Sequence, residues 1–76
     1  MNVRFWIQPG TVAAVSRHGW QFEPYTTKDN LIFEQPAEET DDAMIFQRGT
    51  WRIRVARADV RRYVWDGSRG HYRPCL

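Results

Sequence analysis

The sequence predicts a small, mostly β domain of the α+β class. The expected architecture is a strongly bent antiparallel sheet, or a small SH3-like or Sm-like barrel, with one short helix over about residues 12–18. Three observations lead there. Apolar and polar residues alternate along Asn2–Gln8 and Trp51–Val55, the period-2 signature of a half-buried strand. Turn signals containing Gly, Pro, Asp or Asn recur at hairpin spacing. Four Trp, four Phe and three Tyr sit in only 76 residues, and each ring can bury a large apolar area. The barrel likeness is one of shape, from the closing order of strand, three-residue link and short strand. No family motif stands behind it.

The elements follow in order. Val3, Phe5 and Ile7 share one face of the first strand, and Arg4, Trp6 and Gln8 the other. Pro9-Gly10 stops that strand. Val12–Val15 is continuously apolar, so it does not alternate. Thr11 suits an N-cap, Gly19 suits a C′ position, and Arg17 and His18 suit a last helical turn. These signals favour a helix over about Val12–His18, although Val and Thr also favour strands. Trp20–Thr27 reads as a strand with Trp20 and Phe22 on one face, and Pro24 marks an edge or bend. Lys28–Asn30 is a turn, Leu31–Gln35 a strand, and Pro36–Asp42 a solvated acidic loop. Two apolar runs flank Arg48-Gly49 as a hairpin. Arg57–Asp59 is a tight link, Val60–Trp65 a last strand, and Asp66-Gly67 closes it. Residues 1–70 then form a single domain, and residues 71–76 a flexible C-terminal tail.

Composition bounds the function classes. Cys75 is the only cysteine, so no internal disulfide can form. The longest apolar run is far short of the roughly 20 residues that span a bilayer. No basic-then-apolar leader opens the chain, so no membrane partner and a cytoplasmic location are expected. The net charge of +2 hides a segregation. Residues 1–47 set three cations against seven carboxylates, a net of −4, and residues 48–76 set eight against two, a net of +6. Such asymmetry points to a charged partner, or to halves that neutralise each other once folded.

Nothing in the chain carries a catalytic or cofactor signature. Ser16, Ser68, Cys75, His18 and His71 are the available nucleophiles and bases, and none sits in a nucleophile elbow. The two His and one Cys lack zinc-ligand spacing. The carboxylates of Pro36–Asp42 match no EF-hand loop, and "GSRG" is no phosphate loop. The expectation is therefore no catalytic residue, no metal and no cofactor.

The best remaining signal is Trp51–Trp65, which holds five of the ten arginines. Trp51, Ile53 and Val55 share one face of their strand, and Arg52 and Arg54 the other. In the last strand, Val60, Arg62 and Val64 alternate with Arg61, Tyr63 and Trp65. If the valines point inward, Arg61, Tyr63 and Trp65 join Arg52 and Arg54 on a basic aromatic surface. If the rings point inward, the outer skin is mostly arginine. Trp6, with Arg4 beside it, is a second exposed-aromatic candidate. The candidate binding set is thus Arg4, Trp6, Arg52, Arg54, Arg61, Arg62, Tyr63 and Trp65.

Two readings compete. A protein-interaction adaptor or inhibitor, of the accessory type common in phages and mobile elements, fits Trp, Tyr and Arg as hot-spot residues. Its partner is a host protein, its own complex, or a second copy in a homodimer. The other reading is single-stranded RNA or DNA bound on the C-terminal Arg and aromatic surface.

Overall fold

The computed structural model describes residues 2–19 and 21–75. The first strand, β1 (Val3–Ile7), buries Phe5 and Ile7 and turns Arg4 and Trp6 to the other face, as the alternation requires. β2 (Val12–Ser16), β3 (Glu23–Thr26), β4 (Leu31–Phe33) and β5 (Glu38–Glu39) follow. β6 (Ala43–Arg48) and β7 (Trp51–Ala56) form the expected hairpin. Gly49 takes φ +64° at the first of two turn positions, which is where a type II′ turn places glycine. A 3₁₀ turn, Arg57–Asp59, leads to β8 (Val60–Asp66), and β9 (His71–Pro74) returns along it.

All pairings are antiparallel, in two sheets ordered β4-β1-β8-β9 and β3-β2-β7-β6-β5. The four-stranded sheet contributes Phe5, Ile7 and Phe33 to the core, and the five-stranded sheet contributes Val15, Met44, Phe46, Ile53 and Val55. Phe46 is fully buried and stacks on Phe33 with centroids 4.6 Å apart. Each such side chain contributes about 1.5–3 kcal/mol on burial. Trp51 lies on the inner face, half-buried and edge-on to Tyr25.

The expected barrel does not form. The chain passes between the sheets at Pro9-Gly10, between β3 and β4, between β4 and β5, and at the 3₁₀ turn, and each sheet keeps two edge strands. The expected helix over 12–18 is also corrected: Val12–Ser16 is strand β2, and the described residues contain no α-helix. β2 lies between β3 and β7. Ala13 and Val15 face the core, while Val12, on the other face, stays 74% exposed, so the apolar run does not mark a single buried stripe. Thr11 caps no helix. Its hydroxyl donates to the Gln8 carbonyl and its N–H to the Thr27 hydroxyl, which pins the β1–β2 crossing. The expected shared face of Trp20 and Phe22 lies outside the described residues.

Two elements appear where the sequence suggested none. Glu38–Glu39, within the acidic loop, pairs with Ile45 and Met44. His71–Pro74, within the expected tail, pairs with Tyr63–Asp66. The molecule is elongated, 43 × 23 × 22 Å. At the start of β8, Val60 packs against the core; further on, Val64 is only half-buried, and all of β9 is exposed.

Candidate recognition face

Register decides where each candidate side chain points. Cross-strand partners in an antiparallel pair share a face. Phe5 pairs with Phe33 and Arg62, and Ile7 with Leu31 and Val60, so that face looks into the core. Trp6 pairs with Ile32 and Arg61, Arg4 with Tyr63, Tyr63 with Pro74, and Trp65 with Tyr72. These residues therefore share the outer face of the four-stranded sheet. Of the two placements open at the sequence level, the structure has the valines of β8 inward and its rings outward.

The outer face is densely aromatic. Trp6 and Tyr63 lie with ring centroids 5.9 Å apart at 57°, and Trp65 and Tyr72 at 5.2 Å and 68°. The Trp6 indole N–H donates to Asn30 Oδ1 at 2.9 Å, which fixes that ring. Ile32 remains 54% exposed, Trp65 42% and Tyr72 36%, and exposed side chains of this size in one patch are unusual. A shallow groove of about 320 Å³ runs among Arg4, Trp6, Ile32, Tyr63 and Tyr72.

The arginines divide into distinct environments. Arg4 is largely committed: its guanidinium donates to the Val3 carbonyl, lies 3.6 Å from Glu34 and sits over the Tyr72 ring. Arg61 stands exposed beside Trp6 with no carboxylate partner among the described residues. Arg62 lies on the opposite face of β8, over the Phe5 ring, with its centre 5.3 Å from the centroid. Arg52 and Arg54 belong to the other sheet. Arg52 pairs with Glu38, and Arg54 covers the Phe22 ring at 4.5 Å. The sequence-level surface uniting Arg52, Arg54, Arg61, Tyr63 and Trp65 thus separates into the outer faces of two different sheets.

Charge segregation is partly absorbed within the fold. Glu34, Glu38 and Glu39 of the acidic half meet Arg4, Arg52 and Arg57, two of which lie in the basic half. Asp66 anchors the β8–β9 turn. It accepts from the Ser68 hydroxyl at 2.6 Å and the Ser68 N–H at 3.1 Å, with Arg73 at 3.6 Å. The Ser68 hydroxyl above all holds its carboxyl below the usual range; burial opposes it, and the Ser68 and Arg69 N–H groups and then Arg73 add to the lowering.

Sequence reasoning missed Ile32, Tyr72 and Pro74. Tyr72 and Pro74 were assigned to a tail, yet Asp66-Gly67 and Gly70 bracket a four-residue turn, and Tyr72 and Pro74 lie two apart after it. Among the described residues, no group of three His, Cys, Asp or Glu is placed to hold a metal ion. Among the described residues, no helix is long and apolar enough to cross a membrane. Comparison with family models, curated proteins and solved structures finds no match.

Proposed function

We propose that this domain is a protein-binding module, an adaptor or inhibitor, that docks through the outer face of its four-stranded sheet. The observation that carries the reading is the makeup of that face. Trp6, Tyr63, Trp65, Tyr72, Ile32 and Pro74 form its apolar body, and only Arg4 and Arg61 bring positive charge. Aromatic anchors with a few guanidinium groups are the composition of interface hot spots.

Nucleic acid is the weaker reading for two reasons. Phosphate binding needs several free cations, and here Arg4 is engaged and Arg52 and Arg54 are on the other sheet. Stacked bases also need rings that present open faces, and these pairs are tilted edge against face.

The test is affinity capture from host extract with the wild-type domain and with a Trp65→Ser/Ile32→Ser variant. A partner retained by the first and lost by the second supports the reading. The reading fails if capture ignores the variant, or if the domain instead shifts single-stranded probes with a steep salt dependence.

A further inference from the structure

Resting on the protein-binding reading, we propose that the partner segment is a proline-containing polyproline II stretch flanked by acidic residues, laid across the groove of the four-stranded sheet.

The edges of the sheet argue first. An extended partner can pair with a free strand edge only where N–H and C=O groups are open. At β4 the Ile32 carbonyl accepts from Arg48 Nη2 at 2.8 Å, and at β9 Pro74 has no N–H to give. Both edges are thus partly blocked, while the exposed rings stand on the side-chain face. A segment lying there finds no backbone ladder, so it must tolerate an unpaired backbone. Polyproline II does, because its backbone stays solvated.

The groove has matching dimensions. Its lining comes from all four strands: Ile32 on β4, Arg4 and Trp6 on β1, Tyr63 on β8 and Tyr72 on β9. Three inter-strand gaps of about 4.8 Å make a crossing of roughly 14 Å. Polyproline II rises about 3.1 Å per residue, so roughly five residues cover it. The tilted rings offer ridges between which pyrrolidine rings can seat, whereas a helix about 10 Å wide needs a broader trough. The Trp6 N–H is already given to Asn30, which leaves the Tyr63 and Tyr72 hydroxyls as ring donors towards the segment's carbonyls.

Charge sets the flanks. No carboxylate lines the groove; its Arg4 is already paired with Glu34 at 3.6 Å, so the open charge is that of exposed Arg61, next to Trp6 and with no carboxylate partner among the described residues. An acidic residue beside the prolines meets a guanidinium; a basic one meets repulsion.

The probes are three synthetic decapeptides: proline-rich with glutamate flanks, the same with lysine flanks, and the glutamate-flanked form with every proline replaced by alanine. Each is titrated into the ¹⁵N-labelled full chain. The glutamate-flanked proline peptide is expected to move the Trp6 indole and the Tyr63 and Tyr72 amides saturably, at least about tenfold more tightly than the alanine form. Arg61→Glu, at an exposed site, should reverse the preference between glutamate and lysine flanks. Absence of shifts at millimolar peptide overturns the proposal, as does equal binding of the alanine form or an unchanged flank preference in Arg61→Glu. If the peptides fail while capture of a partner still depends on Trp65 and Ile32, the polyproline proposal falls and the protein-binding reading stands. If both fail, both fall.

Discussion

Trp65 and Tyr72 meet edge to face across the β8–β9 ladder, their centroids 5.2 Å apart, and both keep much of their surface in water. The pair does two things at once. It ties the last hairpin, which stands beyond the core, and it leaves ring surface open to a partner. Such a pair is worth about 0.5–1.5 kcal/mol beyond area burial. Trp65→Ala should lower stability by about 1 kcal/mol in urea unfolding, and a double-mutant cycle with Tyr72→Ala should show positive coupling. A coupling of zero would mean that the two rings are merely adjacent.

The core is small and has little reserve. Phe46 is fully buried against Phe5 and Phe33 of the facing sheet. Phe46→Ala should cost about 3–5 kcal/mol, comparable with the whole stability of so short a chain. Far-ultraviolet circular dichroism should show a largely unfolded variant at room temperature. A cooperative melt near that of wild type would contradict the packing described.

Arg52 and Arg54 should behave as structural residues. Arg52 pairs with Glu38 and also places its Nε out of water, and Arg54 shields Phe22. An exposed ion pair contributes about 0.2–1 kcal/mol and an exposed cation–π contact about 0.5–1. The Arg52→Ala/Arg54→Ala double variant should melt earlier yet keep its partner. Loss of partner binding with unchanged melting would move the recognition surface to the five-stranded sheet.

Asp66 gives the last hairpin a pH dependence. Its native carboxyl is held below the usual range, first by the Ser68 hydroxyl, so the folded state favours the ionised form. That contribution is fully present above the ordinary carboxylate pKa and is lost as pH falls through the lowered native value. Asp66→Asn should therefore be less stable than wild type near neutrality, with the gap closing as pH falls through the lowered native value. A gap that widens on acidification would reverse the sign and refute the assignment.

The sequence carried the strands whose two faces differ. β1, β6 and β7 each bury one face, so their alternation and the Gly49 turn were readable. β2 was misread because Val12–Val15 lacks alternation, and a short apolar run looks the same in a central strand as in a helix. β9 was missed because all four of its residues are exposed, so no burial patterned them. The candidate site was half visible. Arg4, Trp6, Arg61, Tyr63 and Trp65 do share a face; Arg52, Arg54 and Arg62 do not join it. The division depends on where the chain changes sheet, at Arg57–Asp59, and local sequence periodicity cannot express that.

Hydroxyl-radical footprinting of the domain, with and without host extract, tests most directly whether the outer face of the four-stranded sheet is the recognition surface. Modification of Trp65, Tyr72 and Tyr63 should fall on partner binding, while Phe22, which lies against Arg54 of the five-stranded sheet, stays unchanged. Protection at Phe22, with Trp65 and Tyr72 still fully reactive, would contradict the account.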